Sequence, residues 1–219
     1  MTGRHWFFLF MVAAAVILGG AWWALTADSG EVEFERAKEA LKSVKSWKYS
    51  EIPPEDSKFF QQGTWEVDCA VGWHGTVHQV NPYNEENPDR TVEYSHRGGT
   101  TYMRYGDQGW LPAEMDYSMM APQDPSGACA SLAQGKPHYP FPDFASLVNS
   151  SVITSKGLKK VNGVRCREWK VQVVKIMQRH DINICLGWRD HLPYEISSGF
   201  GPRLVFSDFN KPVQIEDPR

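Results

Sequence analysis

The chain has 219 residues, 42% of them hydrophobic and 22% charged, enough for one sizeable domain with accessories. That balance excludes a disordered tail or a low-complexity chain, and no repeat of solenoid length is present. Net charge is −3 and no basic stripe occurs, so the sequence predicts no nucleic-acid partner.

The first element is Trp6–Leu25, an uncharged run about as long as a ~30 Å hydrocarbon core requires. Arg4 precedes it, and Asp28, Glu31, Glu33 and Glu35 follow, a polarity that favours an N-terminus in the cytoplasm and export of the remainder. Trp22 and Trp23 suit an interfacial belt. The run is also longer than the ~7–15 apolar residues of a usual signal peptide. The reading is therefore a retained single-pass anchor over residues 1–27, the alternative being a cleaved signal that leaves a periplasmic or secreted domain. Residues 28–219 then form a mildly acidic exported domain.

In Glu31–Trp47, Phe34, Ala37, Leu41 and Val44 recur at three and four residues, which predicts an amphipathic helix capped by Ser29 or Asp28. After it the apolar period becomes two. Trp65, Val67, Cys69, Val71 and Trp73 alternate with polar residues as one strand would. "GWHGTVH" reads as strand, turn, strand. "TVEYSHRGGTTYMRY" reads as a hairpin turning at Gly98–Gly99. A long connection follows, with Met115, Met119 and Met120 as adaptable apolar filler and short helices expected near Ala128–Ala133 and Asp143–Asn149. Strand patterns resume from Ser151. The chain closes on "RLVFSDFNKPVQIEDPR", which reads as a final strand bent at Asn210–Pro212, with Val213 and Ile215 keeping the period and Pro212 at a sheet edge or bulge. Eight to eleven mostly antiparallel strands behind one strong helix make the fold mainly β, of the α+β kind.

Export gives four cysteines a meaning: an even set in an oxidising compartment predicts two disulfides, against the alternative that some stay free and buried. In "VRCREWKVQVV" and "DINICLGW", a hairpin setting Trp169 opposite Ile182 also sets Cys166 opposite Cys185 on the polar face. Cys69–Cys129 follows by elimination.

The order of pieces is distinctive: "AKEALKSVKSWKYSE", "YMRYGDQGW", "FASLVNSS", "VNGVRCREWKVQV", "CLGWRDHLPYEI" and "FSDFNKPVQIEDP". In this order they resemble the outer-membrane lipoprotein carrier superfamily, the LolA/LolB-like fold, and the mycobacterial-type lipid-carrier lipoproteins, across nearly all of residues 31–217. The resemblance implies a curved, unclosed antiparallel half-barrel wrapped around helices, with an apolar cavity for acyl chains. It also implies that the final strand bends because it follows the curved edge of that half-barrel. On that reading, and on the aromatic residues carried by strands (Trp73 and Tyr102 among them), Leu41, Val44, Trp65, Val67, Trp169 and Phe206 are expected to line or border the cavity. The implied partner is a lipid or a lipid-modified protein.

Nothing in the sequence points to catalysis or to a cofactor. His74 and His78 have H-x-x-x-H spacing, but in an extended chain they lie ~13 Å apart, too far to share one zinc. His96 beside Arg97 is a candidate phosphate contact, with a solvent-facing hairpin end as the alternative. Glu66, Asp68 and Glu93 read as solubilising groups on a sheet face, and no G-x-S-x-G, P-loop or H-E-x-x-H occurs. The expected function is non-catalytic lipid binding. The alternative is an anchored envelope interaction or sensing module without cargo, with the aromatics of "GDQGWLP" and "PHYPFPDF" as its partner patch.

Overall fold

The computed structural model describes residues 29–54, 62–80, 89–113, 125–136, 138–175, 178–199 and 201–218. The proposed anchor Trp6–Leu25 and the cluster Met115, Met119 and Met120 lie outside them. Among the described residues, no helix is long and apolar enough to cross a membrane.

Helix α1 (Gly30–Leu41) starts where Ser29 Oγ accepts the Val32 N–H at 3.4 Å, with Glu31 and Glu33 in its first turn. It is shorter than the helix expected over Glu31–Trp47. The Val44-to-Trp47 spacing mimics a helical repeat, but Trp47, Tyr49 and Glu51 continue at period two, and aromatic residues at that period suit a pleated, half-buried surface. Strand β1 (Ser46–Ile52) is the result.

The other strands are β2 (Gln62–Asp68), β3 (Gly72–Val80), β4 (Asp89–Arg97), β5 (Thr100–Tyr105), β6 (Leu111–Pro112), β7 (Ser151–Val161), β8 (Val164–Lys175), β9 (Gln178–Gly187), β10 (Pro193–Ser198) and β11 (Arg203–Ser207). Two further helices, α2 (Pro125–Ala133) and α3 (Phe144–Ser150), interrupt them, close to the positions expected. All strands join one curved antiparallel sheet in the order β6-β5-β4-β3-β2-β1-β11-β10-β9-β8-β7, with β6 and β7 as its open ends. Irregularities at Ser155/Gly157 and Pro193/Glu195 break the ladders locally, as bulges that bend a sheet do.

Four expectations are corrected here. The apolar run from Trp65 to Trp73 is two strands: the chain turns at residues 69–71, and Val67 pairs with Trp73, which keeps Trp65, Val67 and Trp73 on one face. "GWHGTVH" is continuous β3, its glycines accommodated in the ladder. Tyr102 pairs with Ser95 on the opposite face, because Met103 takes the inward position across from Tyr94. The final strand is central rather than at an edge, since β11 pairs with β1 on one side and β10 on the other.

Pro212 therefore lies beyond the sheet. Asp208 and Asn210 take positive φ (54° and 57°) and turn residues 208–218 out of the ladder. This tail crosses the convex face as a strap. The Asn210 N–H donates to the Ser46 carbonyl at 2.8 Å, Ser46 Oγ donates to the Lys211 carbonyl at 2.7 Å, and Ser95 Oγ donates to the Glu216 carbonyl at 3.1 Å.

Both disulfides form, Cys166–Cys185 and Cys69–Cys129, each with Cα atoms 5.5 Å apart. The register behind the first differs by two from the one expected. Trp169 faces Ile184, so Glu168 faces Cys185 and Cys166 faces Gly187. The bond is diagonal across the hairpin, and because a shift of two preserves the face, the pairing survives the altered register. Cys69, in the β2–β3 turn, ties α2 to that end of the sheet through Cys129.

Candidate functional site

Alternation along the strands divides the sheet into two chemically different faces. Trp47 and Tyr49 of β1, Trp65 and Val67 of β2, Trp73 and Val77 of β3, and Phe206 of β11 all point to the concave side and are buried. Their rings run as a connected row. Trp47 meets Phe141 at 5.4 Å between centroids, Phe141 meets Phe206 at 5.1 Å, Phe206 meets Tyr49 at 5.8 Å, Tyr49 meets Trp65 at 6.3 Å, and Trp65 meets Trp73 at 5.7 Å. Phe34 of α1 joins from the other side, 5.5 Å from Phe144 and 6.2 Å from Trp169. One close approach is specific to sequence: Trp65 lies so near β3 that a Cβ on Gly75 would sit 1.9 Å from its ring. Only glycine fits there.

The six residues expected at the cavity, Leu41, Val44, Trp65, Val67, Trp169 and Phe206, are all buried and belong to this one apolar cluster. The structure thus places them together on the concave side. Beside Leu41 a cavity of about 20 Å³ is left between Leu132, Phe141 and Phe144. The "PHYPFPDF" aromatics do not form a surface patch: Phe141 and Phe144 are in the core. Trp110 of "GDQGWLP" lies under the Arg104 guanidinium, 4.5 Å from its centroid.

The concave side also holds polar groups that the sequence reading missed. Glu51, the third inward position of β1, accepts a hydrogen bond from the Tyr139 hydroxyl. Burial pushes the Glu51 carboxyl up from its ordinary value, opposed by the Tyr139 hydroxyl and by the Trp65 indole N–H, which is near it but outside hydrogen-bond geometry. Burial, then the Glu51 and Tyr139 charges, push the Tyr49 hydroxyl well above the usual phenol range. Tyr49 Oη and the indole nitrogens of Trp47, Trp65 and Trp169 are buried with no hydrogen-bond partner among the described residues. Each such group costs ~1–3 kcal/mol of uncompensated desolvation. The signal for Glu51 was the Trp47, Tyr49, Glu51 alternation, concealed by the helical spacing of Val44 and Trp47.

The convex face is polar and, apart from His74 Nε2, closely paired. Lys48 meets Glu66 at 2.5 Å across β1–β2, and Lys159 bridges Glu195 at 2.7 Å and Glu168 at 3.2 Å. Arg104 holds Glu93 at 2.6 Å and Glu216 of the strap at 3.1 Å, and Arg97 holds Asp217 at 3.2 Å. His74, Glu93 and Glu216 bring three ligand-type atoms within 4.8 Å of one another, but Arg104 engages both carboxylates, so the group works as an ion-pair knot. His78 shares the face with His74 along β3 and is not part of that knot. His96 bonds Thr101 Oγ1 at 2.9 Å and stacks on Trp73 at 5.7 Å, so its ring is engaged in packing. Elsewhere, an open groove of about 670 Å³ runs along the outward side of α1, bordered by Val32, Glu35, Arg36, Ala40, Val148 and His191.

No protein-family model matches the sequence, nor does any curated protein. Solved structures do match. The chain is similar to LprF from Mycobacterium bovis, with 13% identity over 86% of this chain and 96% of that one, at a TM-score of 0.62. It is similar to the lipoprotein LppX from Mycobacterium tuberculosis, with 14% identity over 85% and 97% of the two chains, at a TM-score of 0.52. A LolA superfamily protein from Nitrosomonas europaea matches at 7% identity over 86% and 96% of the two chains, with a TM-score of 0.29 too low to add weight. The chain therefore shares the fold of LprF and LppX.

Proposed function

We propose that the chain is an exported, non-catalytic binding protein, held to the cell membrane by Trp6–Leu25, that takes an acyl chain of a lipid or lipid-modified protein against the concave face of its sheet. The observation that supports this reading is that side of the sheet: a continuous row of buried rings, with polar atoms among them that no described residue pairs, on the fold shared with LprF and LppX. Apolar lining with a few placed polar groups is the usual make-up of a small-molecule site. The open groove beside α1 favours a second reading, an anchored interaction module, because an apolar groove on an outward helix side suits a protein partner.

The test is mass spectrometry of residues 28–219 prepared without detergent. Lipid binding predicts co-purified acyl lipid at near-stoichiometric amounts, displaced by added fatty acyl probe. A folded preparation that carries no lipid and binds no probe saturably would reject it in favour of the interaction module.

A further inference from the structure

The corner of the sheet formed by β7, β8 and the end of β9 changes character where α1 begins. Gly30, the first residue of α1, packs so closely that a Cβ there would lie 2.2 Å from Ile153 and 3.3 Å from Trp169. Beyond Trp169, on the same face of β8, come Arg167 and Arg165, which the ladder sets opposite Leu158 and Lys160 of β7. Leu158 is 56% exposed, and Trp188, just past the end of β9, is 50% exposed. The Arg167 guanidinium lies 4.7 Å from the centroid of Trp188 and 5.7 Å from that of Trp169, so contacts run without a break from the start of α1 to Trp188. A recess of about 460 Å³ opens between Val164, Arg165, Trp188, Arg189 and Asp190.

The cations of this corner differ from those of the convex face. Lys159, beside Lys160 in sequence but on the other face, is bridged to Glu195 and Glu168. Lys160, Arg165, Arg167 and Arg189 meet no carboxylate among the described residues. Asp190, the acid that lines the recess, is committed elsewhere: its Oδ1 accepts the Leu192 N–H at 3.2 Å and its Oδ2 accepts the Tyr194 hydroxyl at 2.6 Å. A patch of unpaired cations on a chain of net charge −3 suits an anionic surface.

Two observations favour lipid headgroups as that surface. An exposed indole under a guanidinium, with a leucine beside it, has the apolar bodies and charged tips that settle at a membrane interface. The tether is also short. The uncharged run ends at Leu25, and the five residues from there to Gly30 reach at most ~17 Å when fully extended. An acidic protein would have to be recruited to this corner; the bilayer that holds the anchor is already within reach of it.

We propose that Lys160, Arg165, Arg167, Trp188 and Arg189 dock the exported domain on the anionic headgroups of the membrane that holds its anchor. The docking rests on the anchored reading of Trp6–Leu25 and adds to it an orientation, with the corner of β7, β8 and β9 against the bilayer. Attraction of this kind fades over a Debye length, ~8 Å at physiological salt, so it acts because the tether keeps the domain close.

The experiment uses the full-length chain reconstituted in vesicles of phosphatidylcholine, with or without phosphatidylglycerol. Each vesicle carries a trace of phosphatidylethanolamine with benzophenone on its headgroup, and labelled chymotryptic peptides are mapped by mass spectrometry. Peptides containing Arg165, Arg167 or Arg189 should take up about fivefold more label in the phosphatidylglycerol vesicles, a gain that high salt removes. Peptides of β4 and β5 should show no such gain. Arg165→Gln combined with Arg189→Gln should remove most of it while labelling beside Leu25 persists. The melting temperature should not change, since both side chains are exposed and unpaired. Equal labelling of the corner in the two vesicles, or a gain that the double substitution leaves intact, would overturn the docking and leave these cations to an acidic protein partner. Release of the chain from the vesicles by alkaline carbonate would overturn the anchor and the docking together.

Discussion

The two faces of the sheet solve the same problem in opposite ways. On the convex face nearly every charged group has a partner within the chain, and the strap of residues 208–218 supplies the last of them: Glu216 to Arg104, Asp217 to Arg97, and a carbonyl to the buried Ser95 hydroxyl. On the concave face, rings pack on rings while four buried polar atoms have no partner among the described residues. Buried polar groups in folded proteins are usually paired, so a cluster of exceptions on one face calls for a specific explanation. The convex face is finished by the chain's own tail; the concave side keeps buried polar atoms that no described residue pairs.

The largest expected effect is on the concave face. Trp65→Ala removes an indole that meets Tyr49, Trp73 and Tyr94 and rests on Gly75, and should cost ~3–5 kcal/mol in urea unfolding. A loss below ~1 kcal/mol would mean that the ring row is loosely packed. Next comes the β8–β9 hairpin: Cys166→Ser combined with Cys185→Ser should cost ~2–4 kcal/mol, toward the low end because only 19 residues separate the pair. Non-reducing peptide mapping should link these two cysteines to each other, and a Cys69–Cys166 link would contradict the diagonal geometry.

A pH titration sharpens the contrast through Glu51. Its folded pKa is raised above the unfolded value by burial, so the protonated carboxyl's contribution is fully present below the ordinary carboxylate range. That contribution is lost as pH rises through the raised value. The melting temperature should therefore carry a component that declines over this window, and Glu51→Gln should remove it. An unchanged profile in Glu51→Gln would show that the carboxyl is not held in a desolvated site. The smallest effect belongs to the convex face: Glu216→Gln should cost less than ~1 kcal/mol, because the Arg104 pair is partly solvated and Glu216 is 47% exposed on its side chain. That cost should shrink further at high salt.

Much of this fold was legible in the sequence because its signals are local. Period-two alternation marked most of the strands, Gly98–Gly99 marked a hairpin, and Phe34, Ala37 and Leu41 marked the face of α1. The cysteine pairing was recovered despite a register two residues off, since parity decides the face and two cysteines on one face can bond diagonally. What stayed hidden depends on pairing between distant segments. No local pattern says that β11 enters the middle of the sheet beside β1, so Pro212 looked like an edge residue when it belongs to a strap. Glu51 was missed for a related reason. A carboxylate is an unexpected inward residue, and its partner Tyr139 comes 88 positions later, from the connection after α2.

The account's central claim is that an acyl chain lies against the concave face, and the most direct measurement is where such a chain ends up. The full-length protein in its own membranes, photolabelled with a diazirine-bearing fatty acyl ester, should yield modified peptides containing Tyr49, Trp65 or Phe206, in amounts that saturate and that unlabelled ester competes away. Label confined to the Trp6–Leu25 peptide, rising linearly with probe and indifferent to competitor, would contradict the claim.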